Sequence, residues 1–170
     1  LYYIWFDTWP SPNSPCAGTF SIVPPVSGPA NDLVCNATAI SCGQTLAGTT
    51  IGATATGTGE GLTCGTSQTM PGVWYSVAGN GQNMTASLCG TGWDSKISVF
   101  SGTCSALTCI GGVDDIGPAC ATSSASFGWT SVSGTNYYIL VHGYSSNSAF
   151  DLALTCVSST PAYRANFISM

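Results

Sequence analysis

Residues 72–90 read GVWYSVAGNGQNMTASLCG, and their pattern decides the fold. Val73, Tyr75 and Val77 recur at every second position, the period of a strand with one face turned to a core. Asn80-Gly81 follows, a pair favoured where a two-residue hairpin turn needs positive φ at both central positions. Beyond it Met84, Ala86 and Leu88 share one face of a second strand. The stretch predicts two strands joined by a hairpin turn.

The same period extends in both directions. KISVF (96–100) sets Ile97 with Val99, and SFGWTSV (126–132) sets Phe127 with Trp129. NYYILVHGY (136–144) carries Tyr137, Ile139 and Val141 on one side, with Tyr138, Leu140 and His142 on the other. AFDLALTC (149–156) turns Phe150, Leu152 and Leu154 away from Ala149, Asp151 and Ala153. With LAGTTIGATATG (46–57) and LTCIGGV (107–113), about eight short strands emerge, separated by Gly, Ser, Thr and Asn. No stretch holds a helical stripe. An all-β chain, an antiparallel β-sandwich of jelly-roll type, is expected.

Composition narrows the function. Charged residues are 5% of the 170, and Lys96 and Arg164 are the only strong cations in a chain of net charge -5. A nucleic-acid partner needs a basic face to displace counterions, so that class is excluded, and an anionic membrane surface is disfavoured for the same reason. No run of about 20 apolar residues provides a membrane span. LYYIWF lacks a basic flank and a small-residue cleavage site and ends at Asp7, so it does not read as a leader; a signal is expected to have been removed already. The surface is hydroxylated rather than ionic, and attached sugar would hydrate it further.

Nine cysteines show no CxxC, and His142 is the single histidine, so no zinc pattern exists. Structural disulfides in an extracellular, oxidising compartment are the better account. Cys104 with Cys109, and Cys35 with Cys42, are close enough in sequence to pair locally. One thiol is left over, and Cys16 is expected to be free or bridged to another chain, because it lies outside the core region.

Three regions follow. Six of the nine prolines fall in the first 30 residues, so residues 1–30 read as a hydrophobic strand plus an extended linker. Residues 31–157 hold the sandwich, and 158–170 form a tail. Within the sandwich, NDLVCNATAISCGQTLAGTTIGAT, GVWYSVAGNG, WDSKISVFSGTCSALTCIGGVDD and GTNYYILVHGYSSNSAFDLALTC resemble a family of secreted cell-surface domains akin to the bacterial pre-peptidase C-terminal β-sandwiches. The resemblance implies a non-catalytic extracellular module over residues 31–157. It also implies that the loops carrying Asp94, Asp114 and Asp115 come close together, where hard oxygen ligands would suit a structural Ca²⁺.

No enzyme chemistry is expected. His142 sits inside a strand, no GxSxG elbow accompanies it, and no two carboxylates face each other across an evident cleft. Asn36-Ala37-Thr38 and Asn83-Met84-Thr85 are glycan acceptor sequons. Trp93, in a loop, together with Trp74 and Trp129, is the candidate sugar platform of an alternative reading, a monomeric carbohydrate-binding or accessory module.

The opening LYYIWF answers to neither reading of a solvated end. Leu1, Tyr3 and Trp5 face one way and Tyr2, Ile4 and Phe6 the other, all apolar, as in a strand covered on both sides. Such a strand either folds back on its own sandwich or completes a neighbour's sheet. The second fate makes the chain a subunit of an extracellular, glycosylated homopolymer, and it is the expected function.

Overall fold

The computed structural model describes residues 28–55, 57–115, 120 and 123–158. Leu1–Phe6, Cys16, the rest of the linker through residue 27 and the tail from residue 159 lie outside the described residues.

The strands are β1 (Thr38–Ala39), β2 (Thr45–Thr49), β3 (Thr63–Cys64), β4 (Thr66–Ser67), β5 (Val73–Ala78) and β6 (Asn83–Ser87). They continue as β7 (Ser95–Thr103), β8 (Ala106–Val113), β9 (Ser126–Thr130), β10 (Asn136–Gly143) and β11 (Ala149–Val157). One sheet runs β1-β5-β10-β7-β8 and the other β2-β11-β6-β9, while β3 and β4 form a small hairpin. Every pairing is antiparallel except β1 with β5. This is the expected antiparallel sandwich.

The predicted faces form its interior. Val73, Tyr75, Val77, Ile97, Val99, Tyr137, Ile139 and Val141 from the first sheet meet Met84, Ala86, Leu88, Trp129, Phe150, Leu152 and Leu154 from the second. Each large side chain so buried contributes about 1.5–3 kcal/mol. The first sheet is also covered on its other face, where Trp74, Phe100 and Leu140 pack with Val34 of a 3₁₀ turn (Val34–Asn36) and with Cys64. Burial on both sides explains why β5 and β10 are apolar at successive positions.

Three expectations are corrected. Asn80-Gly81 does not close a hairpin: β5 and β6 belong to different sheets, so the turn arches across the core. Gly81 supplies the positive φ of +82° that the turn needs, but the β9–β10 loop decides its direction. Gly79 N–H donates to Thr135 carbonyl at 2.7 Å, Gly134 N–H to Gly79 at 3.0 Å and Ser131 N–H to Gln82 at 2.9 Å. The strand expected over 46–57 stops at Thr49, where Thr50 N–H bonds Ser148 and the chain turns through Ile51-Gly52.

The third correction concerns the disulfides. The bridges are Cys35–Cys104, Cys42–Cys156, Cys64–Cys109 and Cys89–Cys120. The four cysteines proposed as local partners are all bridged, though none to its sequence neighbour. Cys104 stands in the β7–β8 turn, whereas Cys109 lies opposite Phe100 some way along β8. Strand rise carries Cys109 roughly 10 Å past the start of β8, beyond bridging reach. Cys35 lies in the 3₁₀ turn over the first sheet, while Cys42 has crossed toward β11 of the second. The four bridges use eight cysteines of nine, and Cys16 is the ninth.

Candidate functional site

The first sheet brings the three predicted acids together at one end. Asp94 immediately precedes β7, and Asp114 and Asp115 immediately follow β8, its antiparallel partner, so the β7–β8 register brings them side by side. One carboxylate oxygen from each lies within 4.8 Å of the others. Two ligands on opposite sides of a Ca²⁺ stand up to about 5.2 Å apart at its usual oxygen distances, so each pair of these oxygens is within the span of one ion. Oδ1 of Asp94 and Oδ1 of Asp114 are inaccessible to solvent and have no hydrogen-bond partner among the described residues.

Sequence reasoning missed the fourth member. Lys96, buried within β7, reaches Asp114 Oδ2 at 3.0 Å, donates to Ser67 carbonyl at 3.3 Å and lies 4.8 Å from the centre of the Tyr144 ring. A lone lysine inside an apolar strand was the signal, because a buried ammonium requires a counter-charge. Three carboxylates against one ammonium still leave the cluster negative. Asp94 is accordingly raised above the ordinary carboxylate range, by partial desolvation first and then by Asp115 and Asp114, with Lys96 opposing.

His142, directly opposite Lys96 in the β10–β7 register and on the same face of the sheet, is fully buried, its Nε2 3.4 Å from Ser98 Oγ. Ser98 donates its proton to Cys64 carbonyl at 3.0 Å, so this serine is held in a structural bond rather than presented as a nucleophile. Burial, and then the charge of Lys96, push the imidazole down to about 3 against the contact with Gly143 backbone.

The sequons are both presented to solvent: Asn36 is exposed in the 3₁₀ turn, and Asn83 is exposed at the start of β6, where its Oδ1 accepts from Thr130 Oγ1 at 2.8 Å. The three tryptophans do not form a shared platform. Trp74 and Trp129 are core residues, and Trp93 is half-buried against the core.

The sheet edges differ in how they are guarded, a feature the strand period does not reveal. β1 is only two residues long. β8 is tied to the β3–β4 hairpin by Cys64–Cys109 and is broken by a register shift opposite Val99 and Phe100. β8 and β9 close on each other: a Cβ on Gly111 would meet Phe127 Cζ at 2.6 Å, and Phe127 stacks on Trp129 at 6.5 Å. β2 is different. It pairs with β11 alone among the described residues, and its residues Thr-Leu-Ala-Gly-Thr include no charge and no proline. Beside it a groove of about 510 Å³ runs between the sheets, with Pro29, Ala30, Thr38, Leu46 and Tyr75 on its walls. Gly48 lets the sheets approach there, since a Cβ would meet Tyr75 Oη and the Phe150 ring.

No family model matches the chain, and no curated protein matches it. Among solved structures it is similar to the pre-peptidase C-terminal domain of collagenase from Bacillus anthracis, with a TM-score of 0.41 and 14% identity over 70% of this chain and 94% of that one. Among the described residues, no helix is long and apolar enough to cross a membrane.

Proposed function

We propose that this chain is a secreted, glycosylated β-sandwich subunit of an extracellular filament, assembled by donation of Leu1, Tyr2, Tyr3, Ile4, Trp5 and Phe6 to a neighbouring copy. One observation carries the reading: among the described residues, β2 is an edge strand without the charge, proline or short length that normally blunts such edges. A head-to-tail contact of this kind does not close on itself, so it propagates into an open fibre. Its mechanism is assembly rather than turnover.

The energetics are compatible. Six large side chains buried at about 1.5–3 kcal/mol each stabilise the docked strand by on the order of 10–15 kcal/mol. Ordering nine residues costs about 1–2 kcal/mol apiece. These terms nearly cancel, so main-chain pairing with the receiving sheet tips the balance. Cys16, for which the four intrachain bridges leave no partner cysteine, supplies a covalent lock between copies. Exposed Asn36 and Asn83 carry the glycans, and four disulfides suit the oxidising setting of a secreted subunit. A structural Ca²⁺ at Asp94, Asp114 and Asp115 stiffens the far end of the β7–β8 pair.

The test compares the intact chain with one lacking residues 1–9, by light scattering and electron microscopy. Fibres from the intact chain and monomers from the shortened one are expected. An intact chain that stays monomeric at high concentration sinks the proposal.

A further inference from the structure

We infer that the acceptor is the open edge of β2, and that its occupant is the Leu1–Phe6 segment of a second copy; this rests on the donation reading above and adds to it the receiving atoms. The register with β11 identifies those atoms. Gly48 lies opposite Phe150 and Leu46 opposite Leu152. Thr50 N–H bonds Ser148 carbonyl at 3.0 Å, and Leu154 N–H bonds Gln44 carbonyl at 2.9 Å. Hydrogen-bonded and non-bonded positions alternate in an antiparallel ladder, so residues 44, 46, 48 and 50 turn their backbone groups toward β11. Thr45, Ala47 and Thr49 turn theirs the other way. Three N–H and three C=O groups therefore stand in a row along the open side.

The groove beside them matches the occupant in length and chemistry. A five-residue edge is about 17 Å long and a six-residue strand about 20 Å. Leu46, Tyr75, Pro29 and Ala30 offer an uncharged wall, and residues 1–6 contain no charge. One face of the added strand would fill this groove while its backbone pairs with Thr45, Ala47 and Thr49. The same added strand covers Leu46, which is only half-buried at present.

The chain's own course favours a second copy over self-docking. Gly28 packs against Gly52, just past the end of β2, so a strand of the same chain would need only a short turn to lie along that edge. Instead 21 residues, 7–27, intervene, with five prolines among them. By sequence such a proline-rich connection favours extended conformations, which suit reaching across to a neighbour better than a tight return.

The experiment uses the full-length chain and two full-length variants, with light scattering and residue-resolved amide exchange. In the assembled chain the amides of Thr45, Ala47 and Thr49 are expected to exchange as slowly as those of Leu46 and Gly48. Ala47→Pro removes only an N–H that faces the open side, so the β2–β11 pairing is expected to survive while assembly is lost. Should that variant fail to fold, Ala30→Arg fills the groove from its exposed wall without touching the ladder or either sequon and is expected to give the same monomer. Assemblies that survive these substitutions with the three amides exchanging freely would place the acceptor elsewhere and leave donation standing. An intact chain that stays monomeric with the three amides protected would mean self-docking, overturning both the acceptor and the filament. An intact chain that stays monomeric with all three amides unprotected would overturn the donation reading and this inference with it.

Discussion

Acid should loosen this sandwich through His142. The buried imidazole takes its proton at about 3 rather than at its ordinary 6.5. An unfolded chain is protonated near the ordinary value, so between the two the unfolded state binds more protons than the folded one. Stability is then complete above pH 6.5 and falls as the pH drops toward the folded value. The loss approaches 1.4 kcal/mol per pH unit and totals about 5 kcal/mol near pH 3, or about 2.7 kcal/mol at pH 4.5. Two carboxylates act in the opposite sense. Glu60, raised chiefly by burial, and Asp94, raised by desolvation and its acidic neighbours, disfavour ionisation in the fold, so their protonation restores stability as pH falls. The imidazole contribution is isolated by comparing the intact protein with His142→Leu, which leaves the Ser98–Cys64 hydrogen bond in place. Urea unfolding of both, with disulfides kept oxidised, at pH 7 and pH 4.5 is the assay. The intact chain should lose about 2.7 kcal/mol more than the variant. Equal losses in the two proteins would refute the argument.

Calcium should raise the unfolding midpoint, by the equivalent of about 2.7 kcal/mol at a hundredfold excess over the dissociation constant, and Asp94→Asn should abolish the response. A midpoint indifferent to calcium and to chelator removes the metal reading. Peptide mapping of secreted material before and after enzymatic deglycosylation should find Asn36 and Asn83 modified; both asparagines recovered bare would exclude N-linked glycans on this surface.

Alternation was enough to assign core faces, because a period of two states which side chains share a side of a strand. Tyr75, Ile97, Ile139 and Leu152 all lie where that period puts them. It says nothing about which strand lies alongside, and there the reading failed. Asn80-Gly81 has hairpin chemistry, yet its neighbours Thr135 and Ser131, more than fifty residues away, pull the turn across the core. Cysteine pairing failed for the same reason, since Cys42 meets Cys156 only after the sheets have closed. The acids were named from sequence, but their meeting followed from a family resemblance. Lys96 and the position of β2 at a sheet edge among the described residues became visible only once burial and pairing were known.

The Cys42–Cys156 bridge joins positions 114 residues apart, close to both limits of the described sandwich. Tension applied between Gly28 and Ser158 would travel to Cys42, cross the sulfurs and leave from Cys156, bypassing nearly the whole ladder. The backbone outside that shortcut is short, so full extension gives on the order of 55 Å at about 3.3–3.6 Å per residue. Melting every hydrogen bond inside the loop would release no further slack. A sandwich pulled from Gly28 and Ser158 would therefore stop lengthening there, whatever became of the strands enclosed by the bridge.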